Sequence, residues 1–516
     1  LGRHEDALKS SEQALAVDPR HDNALLIRGH ALSKLNRPAE AAASYEQALA
    51  VDPDQRFAFG AMVMAHRAAC NWERLRDLAP MLEQAIRLGE AIIPPFNLLG
   101  LPLDLDIQLR CARNFVRQRM PQDQKPFQHR PRSDGDRIKL AYVSGDFRQH
   151  PVAYLIPELL EKHDRSRFEV IGISYGADDG SQERQRIIAA CDQFHDVYAR
   201  DDRDAAALIN DLQVDIAIDL GGHTDNSRLA MLRDRPAPVQ MSYLGYTGTT
   251  GADFVDYVIA DRVALPPELH AHFSESVVYL PDSLLVSDGG RPIGPTPSRA
   301  SEGLPERAFV FCCFNNSYKI SAEIFAAWMR LLQAVDGSVL WLSQTNAHAA
   351  EKLRAAAASA SVDPARIMFA QRKPSVADHL TRHRVADLFV DTTGYNAHTT
   401  SNDALWAGLP VLTCAGASFP ARVAASLLCA VGLPELVTTS LEEYEALALK
   451  LAHDPALLQS LRGKLESNRL THPLFDGDRF RSHIEAAYLT MWDVWRRGER
   501  PHSFAVDAIE QRSTAK

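Results

Sequence analysis

The apolar positions of this chain change period along its length. Over residues 1–90 they recur at the three- and four-residue spacing of amphipathic helices. One block appears twice there, as Glu12-Gln-Ala-Leu-Ala-Val-Asp-Pro19 and as Glu46-Gln-Ala-Leu-Ala-Val-Asp-Pro53. Residues 91–135 break the pattern with Pro94, Pro95 and Pro102 and then a polar stretch from Pro121 to Asp136. Beyond it, short apolar runs alternate with amphipathic stretches. Ile138–Val143, Phe168–Ser174, Asp215–Leu220, Val239–Leu244 and Tyr257–Ala260 are predicted strands, with helices over Pro151–His163, Ser181–Ala190 and Asp204–Leu212 between them. A second series runs through Phe309–Phe314, Val339–Leu342, Ile367–Phe369, Asp387–Val390 and Val411–Cys414. The Gly- and Pro-rich stretch from Asp288 to Ser298 separates the two series as a linker. A last helix is predicted over about 476–496, where Phe480, Ile484, Tyr488, Met491 and Trp495 form a stripe to pack on another element.

The fold expected is α/β with an all-α N-terminal arm. Strand–helix alternation predicts parallel sheets with crossover helices, here two doubly wound, Rossmann-like domains with a cleft between them. Ligands then bind at the carboxyl ends of the strands. The segmentation reads 1–90 arm, 91–135 helical transition, 136–300 first domain, 301–475 second domain, 476–500 C-terminal helix and 501–516 tail. In the arm, the interval between the two blocks is 46 − 12 = 34 residues, the period of tetratricopeptide helix pairs. Gly29, Ala41, Tyr45, Ala48 and Pro53 fill its small and aromatic positions, and Ala7, Ala14 and Pro19 those of a preceding partial repeat. A third, degenerate pair spans about Arg56–Glu90. Stacked repeats leave a concave face suited to peptides or partner proteins, unless these helices only buttress the next domain. Leu1 is not an initiator and the chain opens inside a helix, so further N-terminal sequence is expected.

Composition narrows the class. A net charge of −10 without a Lys/Arg tract argues against nucleic acid as a partner. Seven scattered cysteines, several in apolar runs, suit buried reduced thiols in a cytoplasmic protein better than a disulfide framework. No apolar run reaches membrane-spanning length, and no signal-peptide pattern opens the chain.

The candidate chemistry lies in the loops after the strands. After Asp387–Val390, a loop loosened by Gly394 and Asn396 enters a helix near Thr399–Thr400. Its N-terminus presents main-chain N–H groups, the Thr399 and Thr400 hydroxyls and the His398 ring, an arrangement suited to a pyrophosphate. Asp403, one turn in, is placed to accept from a ribose hydroxyl. Thr400 and Asp403 also fit a capping pair, and the residues alone leave both readings open. After the first strand, His150 precedes Pro151, which forces it out of the helical region at a strand–loop–helix junction. Such a histidine is either a general base or a plain surface or capping residue. Leu244–Ala252 is a loop of glycines and threonines, fitted to close backbone approach or to a simple turn. Lys319, after the first strand of the second series, is either a solvated lysine or a partner for a developing diphosphate charge. Gln371-Arg-Lys-Pro374 and His379 follow the third strand and could hold a base or phosphate. The chain has no Gly-x-Gly-x-x-Gly after a strand, no phosphate-binding loop ending Gly-Lys-Ser/Thr and no His-Glu-x-x-His. Asp104-Leu-Asp106 reads as a pair of acids at a helix start, and no cluster has metal-ligand spacing.

With these motifs the chain resembles the O-linked N-acetylglucosamine transferases in a bacterial form. The resemblance rests on Asp146-Phe-x-x-His-Pro151, Arg235-Pro-Ala-Pro-Val-Gln240 with Leu244-Gly-Tyr, Tyr318-Lys319, His398-Thr-Thr with Asp403-x-Leu-Trp-Ala-Gly408, Ala421-Arg-Val-Ala-Ala-Ser426 and Pro473-Leu-Phe475. It implies a GT-B core of two Rossmann-like domains after the tetratricopeptide arm. It also implies inverting, metal-independent transfer of N-acetylglucosamine from UDP-GlcNAc to Ser/Thr hydroxyls of proteins, with no cofactor. By the same resemblance Lys319 stabilises the leaving UDP. His398, Thr399 and Thr400 hold the pyrophosphate, Asp403 the ribose, and His379 packs on uracil beside Arg382, with Asn316 nearby. His150 and Pro151 belong to the sugar pocket with Leu244, Gly245, Tyr246 and Thr247, and this histidine has been considered as the base; if it is only structural, the acceptor proton goes to Asp146 or through water to solvent. Protein acceptors are implied to bind through the arm and the inter-domain cleft. Four positions depart from the family pattern. Pro94-Pro-Phe-Asn97 replaces a histidine-bearing segment of animal relatives, Thr247 replaces a proline, Asn316 a glutamine, and a lysine of the base loop is displaced to Lys373, with Val376 at the aligned position. Two alternatives remain: a relative moving a hexose to asparagine, and a repeat scaffold with a decayed transferase core.

Overall fold

The computed structural model describes residues 3–121, 125–129 and 135–509. Parts of the predicted transition segment (122–124, 130–134) and of the tail (510–516) lie outside the described residues. The chain forms two compact units, each drawn from separate stretches. One comprises Leu1–Phe115, Ile293–Ala417 and Glu435–Gly463, the other Val116–Pro292, Ser418–Pro434 and Lys464–Lys516. Residues 418–434 and 464–475, assigned by the sequence reading to the second Rossmann-like domain, thus group with the first sheet.

The arm consists of α1 (His4–Val17), α2 (Asp22–Lys34), α3 (Pro38–Val51), α4 (Arg56–Ala68) and α5 (Trp72–Arg87). The repeated block folds the same way both times. Asp18 ends α1 at φ −133°, ψ 98° and Asp52 ends α3 at φ −131°, ψ 98°. Each carboxylate accepts the main-chain N–H two residues on, at 3.0 Å, which stops the helix and turns the chain. Leu25, Leu32, Tyr45, Leu78 and Leu82 are buried in one core shared along the stack. Burying each such side chain contributes about 1.5–3 kcal/mol, which no single helix pair could collect alone.

The first sheet is built from β1 (Ile138–Ser144), β2 (Phe168–Ser174), β3 (Gln193–Asp196), β4 (Ile216–Asp219), β5 (Val239–Ser242), β6 (Tyr257–Ala260) and β7 (Ser276–Tyr279). With the short strand Phe504–Ala505 its order is Phe504–Ala505, β7, β6, β5, β4, β1, β2, β3, all parallel. The predicted helix over Pro151–His163 is two pieces, Pro151–Leu155 and Pro157–Lys162. Pro157 has no N–H to continue the ladder, so the helix breaks there. The last helix, Gly477–Arg496, packs in this unit: Tyr488 Oη lies 2.9 Å from Tyr142 Oη on β1, and Glu485 lies 2.9 Å from His163 Nδ1. Ile484, Tyr488 and Met491 of the predicted stripe are fully buried.

The second sheet holds β8 (Val310–Cys313), β9 (Val339–Ser343), β10 (Ile367–Ala370), β11 (Leu388–Val390), β12 (Val411–Cys414) and β13 (Val437–Thr438). Its order is β10, β9, β8, β11, β12, β13, again parallel. Both sheets are doubly wound. The sequence reading missed β3, β7, β13 and Phe504–Ala505, which are two to four residues long and carry too little periodicity to register.

Candidate active site

Strand order reverses once in each sheet, and the loops that diverge there leave room for a ligand. In the second sheet the reversal falls between β8 and β11. Two buried side chains organise it. Asn315 Nδ2 donates to Asp391 Oδ1 (3.1 Å) and Thr392 Oγ1 (2.7 Å), while its Oδ1 accepts from Thr400 Oγ1 (2.6 Å). Asp391, with no exposed surface, accepts from Thr392 N (2.8 Å), Ala397 N (2.7 Å) and Thr413 Oγ1 (2.7 Å). Together they fasten the ends of β8 and β11 to the start of the helix Thr399–Ala407. Burial pushes the Asp391 carboxyl upward, against its hydrogen bonds and Lys319. The sequence reading took the exposed neighbour Asn316 and overlooked both. The signal available was an acid and an amide, each just past a buried strand, where an unpaired polar group is costly.

Lys319 closes the 3₁₀ turn Ser317–Lys319, whose N-cap is Asn316. Its ammonium donates to Asn396 O (2.9 Å) and lies 3.9 Å from the centre of the Tyr395 ring. Burial lowers its pKa to about 8, with Asp391 and Cys313 opposing the shift and Arg67 adding to it. The His398 ring packs on the same Tyr395 ring, with centres 4.9 Å apart. His398 is the N-cap of Thr399–Ala407, and its side chain makes no cap hydrogen bond. The first N–H groups of a helix have no partner within it and favour an anion. Thr400 is the second helical residue and spends its hydroxyl on Asn315, so the Thr400–Asp403 capping pair is not what starts this helix. Asp403 Oδ2 instead lies 3.8 Å from His379 Nε2, on the helix Val376–Arg382.

Arg382 is placed differently from His379. It is buried, 4.6 Å over Phe314, and donates to the Gln371 carbonyl. That makes it a strut under the end of β10. Lys373 pairs with Glu302 at 2.6 Å.

In the first sheet the reversal falls between β1 and β4. His150 is the N-cap of Pro151–Leu155 in extended conformation, and Pro151 is exposed at the first helical position. The Val152 N–H donates to His150 Nδ1 at 3.3 Å. Burial lowers the His150 pKa, with Asp146 opposing and Arg148 reinforcing. The ring is therefore neutral near pH 7, and with Nδ1 accepting, its proton sits on Nε2. Asp146 Oδ2 lies 3.5 Å from Nδ1, and Asp146 Oδ1 accepts from Arg148 Nη2 at 3.0 Å.

After β5, Leu244 stands at φ +72° with Gly245 N bonded back to Tyr243 O (3.0 Å). That three-residue turn is a strained conformation for leucine. A Cβ at Gly245 would lie 2.0 Å from Leu220 O, so only glycine lets this loop pass against the chain leaving β4; Val152, at 3.7 Å, would be in ordinary contact. Tyr246 and Thr247 face inward. Tyr246 donates to Thr249 O (3.3 Å), and Thr247 is 4% exposed with its hydroxyl unpartnered. Leu244 is buried as well, and Gly245 is the one part-exposed residue of these four.

Asp104 and Asp106 open the helix Leu105–Arg119, with Asp106 paired to Arg110 at 2.6 Å. No group of three or more His, Cys, Asp or Glu is arranged to hold a metal among the described residues. No helix among them is long and apolar enough to cross a membrane.

The profile of glycosyl transferase family 41 matches residues 107–293 and 295–484, and a tetratricopeptide profile matches 23–55. The chain is 34% identical over 462 residues to the probable UDP-N-acetylglucosamine–peptide N-acetylglucosaminyltransferase SEC of Arabidopsis thaliana, covering 85% of this chain and 47% of that protein. It is 27% identical over 478 residues to the UDP-N-acetylglucosamine–peptide N-acetylglucosaminyltransferase of Caenorhabditis elegans, covering 71% of this chain and 41% of that protein. The chain spans about half the length of the curated relatives it matches. Among solved structures, a mutant of the Thermobaculum terrenum O-GlcNAc transferase superposes with a TM-score of 0.81 at 27% identity, over 96% of both chains. A family profile over both sheets, on two doubly wound units with a tetratricopeptide arm, assigns this chain to glycosyl transferase family 41.

Proposed function

We propose that the chain moves N-acetylglucosamine from UDP-N-acetylglucosamine to Ser or Thr hydroxyls of proteins, inverting the sugar and using no metal. The observation that carries this reading is the Lys319 ammonium, held beside the Thr399–Ala407 N-terminus through the shared Tyr395 ring. The main-chain N–H groups at Thr399 and Thr400 bind the diphosphate, Asp403 the ribose, and His379 covers the base. As the glycosidic bond breaks, negative charge grows on the β-phosphate and Lys319 offsets it. The acceptors are proteins or peptides, engaged in part by the tetratricopeptide arm, and the setting is cytoplasmic.

With a lysine in that role, transfer should persist in excess EDTA. Activity that disappears on chelation and returns with manganese or magnesium would remove Lys319 as the charge-balancing group. The assay is sugar transfer from radiolabelled UDP-GlcNAc to a Ser/Thr peptide.

His150 presents its Nε2–H as a hydrogen-bond donor rather than as a base. To act as a base it would have to give up the cap bond from Val152 and turn Nδ1–H toward Asp146. His150→Asn keeps a cap acceptor and an N–H donor but no base. It should keep transfer within about tenfold of wild type, the scale of one neutral hydrogen bond altered. Loss by roughly a hundredfold or more, the scale of general-base removal, would make His150 the base instead.

A further inference from the structure

The Lys319 turn is braced by the repeat arm. Ala68 O, at the end of α4, accepts from Ser317 Oγ (3.0 Å) and Asn346 Nδ2 (2.8 Å). The Trp72 indole donates to Ile320 O (2.9 Å), and the Cys70 thiol to Ser317 O (3.7 Å). Arg67, one residue earlier on α4, is 4% exposed. Its guanidinium donates to Asn97 O (2.7 Å), Leu99 O (2.9 Å) and the Met64 sulfur (3.7 Å), and lies 5.6 Å from the Tyr318 ring centre. None of these partners is a carboxylate.

The segment that Arg67 holds presses on the ring beneath Lys319. Gly100, at φ +82°, comes so close that a Cβ there would lie 2.9 Å from Tyr395 Cβ and 3.1 Å from Arg67 Nη2. The Phe96 ring meets Tyr395 edge-on at 6.2 Å. Direct contacts therefore run from Arg67 through 96–100 to Tyr395 and Lys319, and from Arg67 through Tyr318 to its neighbour Lys319. The charged and titratable groups around the ammonium are Asp391, Cys313, Arg67, Tyr395 and Tyr318. Two cations with one buried acid leave an excess of positive charge in low dielectric, where an anion is favoured.

We infer that Arg67 is a positioning residue for Lys319, which makes the last helix pair of the repeat arm a working part of the donor site. The inference rests on Lys319 meeting the donor diphosphate. It predicts that Arg67 sets the place of that lysine and adds to the lowering of its pKa, which burial chiefly causes.

Two variants of the full chain test it. Arg67→Gln keeps a hydrogen-bond donor without the charge. Arg67→Lys keeps the charge without the two-pronged geometry. Lys319 ionisation is read with no donor present, from the pH dependence of its acylation by acetic anhydride, quantified by mass spectrometry of the Lys319 peptide. Arg67→Gln should raise the Lys319 pKa, because a like charge is removed, and Arg67→Lys should leave it near the wild-type value. Both should lower kcat by about tenfold or more, the cost of slight misplacement of a catalytic group, with KM for the donor changing less. A merely structural Arg67 would lower the melting temperature and leave Lys319 ionisation and kcat untouched, which overturns the inference. If Lys319 ionisation responds but wild type transfers no sugar, the donor reading fails and the positioning role stands. Should Arg67→Gln not fold, Arg67→Lys decides alone: an unchanged kcat overturns the inference.

Discussion

Lys319→Met should lower kcat for sugar transfer by about two to three orders of magnitude, the range for losing one preorganised electrostatic group. UDP affinity should fall less, because the charge that Lys319 meets grows mainly as the bond breaks. The same substitution should make the unliganded protein more resistant to heat at pH 7. Burial holds the folded-state pKa of Lys319 at about 8, below the ordinary 10.5. The folded chain thus binds that proton less tightly than the unfolded chain. The penalty is fully present below about 8 and fades as pH rises from there toward 10.5. Methionine fills a similar volume without charge and removes it. A stability gain that shrinks above about pH 8, together with the loss of kcat, is the signature of a lysine kept for function at a cost to the fold. In wild type, kcat/KM should fall as pH rises through about 8 while Lys319 loses its proton, and that limb should be missing in the variant. An unchanged kcat removes Lys319 from the mechanism.

Asp403→Ala should weaken UDP binding by roughly ten- to a hundredfold. The hydrogen bond removed is charge-assisted, about 1.5–3 kcal/mol, and 1.4 kcal/mol is one decade in Kd. The melting temperature should change little, because Asp403 lies one turn inside a helix whose N-cap is His398. Calorimetry and thermal melts on the same variant check both statements. A lower melting point with an unchanged Kd would return Asp403 to a purely structural role beside His379.

What the sequence revealed and what it concealed have separate physical causes. The 34-residue recurrence was legible because stacked helix pairs need the same small and aromatic positions in each turn, and Asp18 and Asp52 repeat their geometry. The long strands stood out because central parallel strands are apolar on both faces. The Lys319 and His398–Asp403 positions could be picked out because glycines, threonines and acids gathered just past apolar runs. Orientation was not legible. Nothing in the order of residues says that Leu244, Tyr246 and Thr247 are all buried, or that Arg382 is buried over Phe314 while His379, three residues earlier and near the same ring, is part-exposed and reaches toward Asp403. Arg67 was invisible for a different reason. Its partners at Asn97, Leu99 and Tyr318 are remote in sequence, and an arginine near a helix end reads first as a C-terminal charge.

The central claim is tested most directly by incubating the protein with UDP-N-acetylglucosamine, a Ser/Thr-containing acceptor and EDTA, and locating any modification by fragmentation mass spectrometry. The account predicts one N-acetylhexosamine on a serine or threonine oxygen, in amounts that collapse with Lys319→Met. An adduct on asparagine, or no adduct from a protein that still binds UDP, would contradict it.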